Sequence, residues 1–251
     1  MFLPQESLSD DKNHQRTTTT IIMTTGKIAP NEGGINTGTV KPVIRVDIVS
    51  DVVCPWCYIG KRRLEKAIAA VGDKYTFEIA YHPFELNPDT PLSGVNQREH
   101  LAEKLGGDER YQSITHHTSA VGAQEGLQMN FDRQSVLPNT RKAHALIFAA
   151  QNDGRQLAVT EAFFKAYFTD GVDLSKDENV IDIAVKAGLD PEVAETAIQS
   201  HSVLASIGTQ EHEMQKLGIR GVPFYIFNNE YGVSGAQASE TFIKVFEELK
   251  K

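Results

Sequence analysis

Val43-Ile44-Arg45-Val46-Asp47-Ile48-Val49-Ser50-Asp51-Val52-Val53-Cys54-Pro55-Trp56-Cys57 begins in apolar–polar alternation and ends on the only two cysteines among 251 residues. Period-2 alternation over Ile44 to Val49 is the pattern of a half-buried strand. The residues that follow, Tyr58 to Ile68, carry apolar positions at helical spacing, and Gly72-Asp73 stops that helix after Val71. The cysteine pair therefore lies where a strand turns into a helix. A thiol in a helix's first turn faces unpaired backbone N–H groups and the positive end of the dipole, both of which favour thiolate over thiol. Cys54 takes that place and is the candidate nucleophile, expected to be exposed. Pro55 suits the first helical turn, and Cys57, one turn along, is placed to resolve a mixed disulfide. Trp56 lies between them, where a large flat side chain limits access and offers a docking surface.

Outward from this point, Thr76 to Tyr81 reads as a second strand, so a βαβ unit with parallel strands is expected, the basis of an α/β sheet. Pro83, Pro88 and Pro91 punctuate a loop that leaves it. Residues 96–217 are almost wholly helical in pattern. The expected helices there are Gln97 to Leu105, Glu109 to Leu127, Thr140 to Ala150, Gln156 to Phe168, Asp177 to Ala187, Pro191 to Gln199 and Val203 to Leu217. Asp190 offers a cap oxygen to the helix that Pro191 opens. Strand character returns at Pro223 to Phe227, turns at Asn228-Asn229-Glu230, and pairs back through Tyr231 to Ser234. Ala238 to Leu249 closes the chain as an amphipathic helix. The order is βαβ, helical insertion, ββα. The divisions expected are a disordered leader over 1–42, then 43–95, the insertion 96–217, and 218–251. The leader is rich in Thr and Gly and has little apolar periodicity, and Met23 is a candidate alternative start.

A net charge of −8 leaves no electrostatic footprint for a phosphate backbone, so nucleic acid is not an expected partner. No run approaches the roughly 18 apolar residues of a membrane span. The start is polar and acidic, unlike a secretory signal or a mitochondrial presequence, and the expected compartment is the cytosol. A Cys-x-x-Cys pair in a reducing compartment is redox-active or metal-binding rather than a structural staple. No third cysteine exists, and the one histidine pair, His116-His117, projects about 100° apart on a helix, so no metal is expected.

Gly218-Ile219-Arg220-Gly221-Val222-Pro223 is the second informative stretch. Proline at the head of a central strand is disfavoured. Taken alone, a trans proline is its commoner explanation, whereas beside an upstream Cys-x-x-Cys a cis Val222-Pro223 bond that opens the backbone to a ligand is favoured. Joined to Ser50-Asp51-Val52-Val53-Cys54-Pro55-Trp56-Cys57-Tyr58-Ile59-Gly60, Pro83-Phe84-Glu85-Leu86-Asn87-Pro88 and Ser234-Gly235-Ala236-Gln237, it resembles the DsbA-like thioredoxin superfamily. Within that superfamily the FrnE-like dithiol-disulfide oxidoreductases are the nearest pattern, over residues 43–250. The resemblance implies a thioredoxin fold interrupted by a helical domain. It implies that Cys54 attacks, Cys57 resolves, Pro223 is cis and beside the pair, and Val222 offers backbone hydrogen bonds to an extended substrate. The expected partner is a thiol or disulfide substrate, protein or small molecule. No cofactor is expected beyond the redox-active disulfide, with glutathione open as a co-substrate.

His144, in a segment that also resembles the family, is a candidate for the pocket or for stabilising the Cys54 thiolate. His82 and Glu85 are candidates to border it. Lys61-Arg62-Arg63 reads as a partly solvated run whose charge adds to thiolate stability, and Glu211-His212-Glu213 as exposed surface. Two competing functions stand beside dithiol exchange. One is an isomerase or glutathione transferase on the same fold, whose members typically carry a serine-type site. The other is a non-catalytic binding module.

Overall fold

The computed structural model describes residues 41–249, so the expected leader falls, but for its last two residues, outside the described part. Strand β1 (Val43–Ser50) is interior to a four-stranded sheet of order β2-β1-β5-β6, where β2 is Thr76–Pro83, β5 Phe224–Phe227 and β6 Tyr231–Ser234. β1 and β2 are parallel, with Val43 opposite Thr76 and Ser50 opposite Pro83, because helix α1 (Pro55–Val71) returns the chain in the same direction. β5 runs antiparallel to both β1 and β6, and Asn228 and Asn229 take the positive φ values their tight turn requires. β2 continues two residues past the expected end, because His82 and Pro83 still lie opposite Val49 and Ser50. β5 begins one residue later than expected, at Phe224 rather than at Pro223, which has no N–H to give a ladder.

The alternation read in β1 sorts its side chains onto two faces. Ile44, Val46 and Ile48 join Ile59 and Leu64 of α1, Tyr225 and Phe227 of β5, and Phe242 and Phe246 of α9 (Ser239–Glu248) in one core. Val49 points the other way, into a smaller cluster with Phe84 and Ile219. This is the thioredoxin arrangement, βαβ then ββα, with helices inserted between β2 and β5.

Those helices are α2 (Gln97–Leu105), α3 (Asp108–Gln124), α4 (Arg141–Ala149), α5 (Gln156–Phe164), α6 (Asp177–Lys186), α7 (Pro191–Gln199) and α8 (His201–Lys216). Asp190 caps α7 as expected, its Oδ1 accepting from the Glu192 and Val193 N–H groups at 2.9 and 3.1 Å. α8 starts two residues earlier than expected because the Ser200 hydroxyl accepts from the Val203 N–H. The expected helix to Phe168 is α-helical only to Phe164. It then widens to a π-turn, Lys165–Asp170, which buries Ala166, Tyr167 and Phe168 before Gly171 ends it at φ 71°. A two-residue ribbon, β3 (Val95–Asn96) with β4 (Val136–Leu137), is an addition that no alternation could reveal at that length. Among the described residues no helix is long and apolar enough to cross a membrane.

Candidate active site

Cys54 caps α1 with extended backbone, Pro55 opens the helix, and the Cys57 N–H donates to the Cys54 carbonyl at 3.0 Å. The Asp51 carbonyl accepts the Cys54 N–H at 3.0 Å, which fixes the turn from β1 into α1. Both cysteines are free thiols. The Val222-Pro223 peptide is cis, and the Cys54 thiol lies 3.6 Å from the Val222 carbonyl oxygen, 168 positions away in the chain. Cys54, Cys57, Val222 and Pro223 are thus brought together. Cys54 is only 4% exposed, against the expectation of an exposed thiolate, because the chain through Val222 lies over it.

Cys57 is more enclosed chemically. Burial pushes its thiol well above the ordinary range, and the neighbouring Cys54 adds to the rise, while hydrogen bonds from the Ser50 side chain and the Asp51 backbone oppose it. The two thiols differ in their surroundings. The one at the helix cap touches the carbonyl before Pro223, and the one inside holds its proton. Trp56 is half-buried beside them, its ring 6.3 Å from that of His117.

His144 is buried, with Nε2 3.3 Å from Asp51 Oδ1 at angles that do not make a hydrogen bond. It lines an internal cavity of about 10 Å³ together with Ser50, Val52 and His82. Asp51 is fully buried, and its Oδ2 accepts the Leu86 N–H at 2.8 Å. His82 serves Asp47, with Nε2 2.7 Å from Oδ1, rather than the cysteines. Glu85 accepts two bonds from Arg141, at 2.9 and 2.7 Å, and donates its own N–H to Glu211.

Two sequence expectations are corrected here. In Lys61-Arg62-Arg63 the two arginines are part-exposed as expected, but Lys61 is buried. Lys61 and Arg62 pair with Glu65 and with Glu161 of α5, and Arg63 with Glu125, so each of the three cations has a carboxylate partner. Glu211 is buried at 7% exposure, although His212 and Glu213 are exposed as expected. Its α8 turn packs on the loop after β2, which a helix read by itself does not disclose.

Burial holds the Glu211 carboxyl above its ordinary range, with the charges of Glu85 and Asp51 adding to the rise. A carboxyl raised in the folded state keeps its proton more tightly there than in the unfolded chain. Its contribution to stability is therefore present below the ordinary value and lost as pH rises through the folded one. Glu211→Gln, which mimics the protonated form, should raise stability near pH 7 by on the order of 1 kcal/mol, with no gain near pH 4. Urea denaturation at both pH values checks this, and an equal effect at each would contradict it.

Among the described residues no group of three His, Cys, Asp or Glu side chains is placed to hold a metal ion. The sheet order, the inserted helices and a dithiol capping α1 define the class: a thioredoxin-fold protein of the inserted-helix kind. Residues 45–247 match the DSBA-like thioredoxin domain family, and the chain belongs to it. A probable DsbA oxidoreductase from Streptomyces coelicolor is 33% identical, with TM-score 0.76, over 82% of this chain and 89% of its own. The uncharacterized protein YwbO of Bacillus subtilis is 23% identical over 222 residues, which are 83% of this chain and 98% of that protein. The cytosolic disulfide reductase DsbM from Pseudomonas aeruginosa, in a structure with glutathione, shares the fold at TM-score 0.57 and 17% identity, over 82% of this chain and 100% of its own.

Proposed function

We propose that this protein is a cytosolic, FrnE-like thiol-disulfide oxidoreductase that works through a mixed disulfide on Cys54. The observation that carries the reading is the pair of free thiols at the head of α1, with the outer one against the Val222 carbonyl. In the first step the Cys54 thiolate attacks one sulfur of a substrate disulfide, and the other substrate sulfur leaves as thiolate. Cys57 then attacks the Cys54 sulfur, and the second substrate sulfur departs. Substrate disulfide is reduced by two electrons and the enzyme dithiol is oxidised to the Cys54–Cys57 disulfide, or the reverse in the oxidising direction.

The electrostatics support this order. While Cys54 is negatively charged, it helps to keep the proton on Cys57. Once Cys54 is bonded to a substrate sulfur that charge is gone, and Cys57 becomes easier to deprotonate when its attack is needed. Val222 and Pro223 hold the substrate backbone, and Trp56 offers it a flat wall. His144 acts as a positioning residue through Asp51, which anchors Leu86 and the turn before Cys54. Glutathione is the proposed co-substrate, in keeping with its presence in the DsbM structure. The compartment follows the cytosolic disulfide reductase DsbM, which shares the fold. Retention of both thiols speaks against the transferase alternative.

In the Cys57→Ser protein the second step is lost. Intact mass measured after mixing with glutathione disulfide should show one glutathione adduct, on Cys54, removed by reductant. The absence of any reducible adduct would refute the reading.

A further inference from the structure

Beside the dithiol lies a cavity of about 280 Å³ that disulfide exchange as such does not require. Val53 and Pro55, the chain neighbours of Cys54, form one wall with Trp56, and Leu101, Ile114 and Phe168 form much of the rest. An apolar cavity of roughly 150 Å³ takes benzene, so this one has room for a substituted or fused aromatic group.

The polar groups on its wall are already satisfied by one another. The Tyr111 hydroxyl donates to Gln97 Oε1 at 3.0 Å, Gln97 Nε2 to Gln134 Oε1 at 3.1 Å, and Gln134 Nε2 to the Tyr167 carbonyl at 3.2 Å. None of the buried polar atoms that lack a partner among the described residues belongs to this wall. Away from Lys104, a ligand entering it meets no buried side-chain donor or acceptor left without a partner among the described residues, which selects an apolar body. One charged residue, Lys104, lines the cavity, and no carboxylate does. Its Nζ donates to the Asn87 amide oxygen at 2.7 Å and has no ion pair among the described residues. The cavity therefore combines an apolar interior, a lysine that makes no ion pair among the described residues, and a wall built from the two chain neighbours of Cys54.

We propose that this cavity holds the aromatic part of a low-molecular-mass anionic disulfide, with the anion at Lys104, and delivers its sulfur to Cys54. The proposal rests on the dithiol reading for the chemistry, though not for the binding. The Cys54 thiolate forms a bond to one sulfur and expels the other as an aromatic thiolate. Cys57 then closes the enzyme disulfide, releasing the second aromatic thiolate and its own proton. Two molecules of a monothiol such as glutathione return the enzyme to the dithiol and become glutathione disulfide.

Binding is tested apart from redox chemistry in the full chain carrying Cys54→Ser and Cys57→Ser, titrated with anilinonaphthalene sulfonate as an anionic aromatic probe. We expect saturable binding at one site. Thr115→Trp, which fills the cavity, and Ile114→Glu, which sets a carboxylate at a position already 41% exposed, should each weaken it by about tenfold or more. Lys104→Gln should weaken the sulfonate about twofold to fivefold relative to neutral phenylnaphthylamine. Thermal melts verify that each variant is folded, and Ile114→Glu decides the matter if Thr115→Trp is not.

With both cysteines present, the rate with dithiobis(nitrobenzoate) divided by that with hydroxyethyl disulfide should fall at least about fivefold in the folded cavity variant. Probe binding indifferent to the cavity variants, or a rate ratio that does not move, overturns the proposal. If hydroxyethyl disulfide itself fails to react, the dithiol reading is lost while the binding titration still decides the cavity.

Discussion

Cys54→Ser should reduce disulfide exchange to the uncatalysed rate, a loss of at least about 10³-fold, or about 4 kcal/mol of transition-state stabilisation. The thiolate is the nucleophile in thiol exchange, and a serine hydroxyl neither ionises near neutral pH nor forms the mixed disulfide. Cys57→Ser should differ in kind. The first attack survives in it, so a single stoichiometric release of substrate thiol is followed by arrest. The contrast follows from the two environments, since Cys54 lies against the Val222 carbonyl while Cys57 is enclosed behind it. Reduction of insulin or of hydroxyethyl disulfide, followed over the first turnover, separates the two variants. Equal, partial losses in both would contradict the asymmetry.

What the sequence disclosed about this site, it disclosed locally. Alternation in Ile44 to Val49 and helical spacing after Cys57 are short-range patterns, and they place the dithiol at a strand-to-helix turn without any knowledge of the rest. The meeting of Cys54 with Val222 spans 168 positions and was legible only because the motif at Gly218 to Pro223 resembles a family that makes it. Where neither locality nor motif operates, the reading failed. Lys61 to Arg63 look solvated on their own helix, yet Lys61 and Arg62 meet Glu161, about a hundred positions later. Glu211 is buried by the loop after β2, and no period in α8 announces a neighbour from outside it. The cavity wall is hidden for the same reason. Gln97, Tyr111, Gln134 and Tyr167 belong to separate elements, and their mutual hydrogen bonds exist only after packing.

Gly60→Ala should destabilise the protein by about 1–3 kcal/mol, the cost typical of overpacking a filled core, although alanine is the better helix former by about 1 kcal/mol. Gly60 lies in α1 one turn after Cys57, where a methyl would overlap the Tyr225 hydroxyl and come within 3.3 Å of Pro223 Cγ and Ala236 Cβ. Tyr225 is fully buried, and its ring packs edge-on to Phe242 at 4.9 Å, so it has little room to withdraw. Among the described residues its hydroxyl has no hydrogen-bond partner, and burial holds its pKa well above the ordinary value, so that it stays neutral. Tyr225→Phe alone should accordingly be neutral or slightly stabilising. Combined, the two changes should recover at least half of the loss, because removing the oxygen opens the space the methyl needs. A double-mutant cycle by urea denaturation measures the coupling, which is expected to exceed about 0.5 kcal/mol for residues in contact. An unchanged penalty for Gly60→Ala in the Tyr225→Phe background would show that the clash lies elsewhere. The same pair links stability to chemistry. A methyl at position 60 comes within 3.3 Å of Pro223, whose preceding carbonyl faces the Cys54 sulfur, so exchange should slow in Gly60→Ala and recover less than stability does in the double variant, which relieves only the Tyr225 contact.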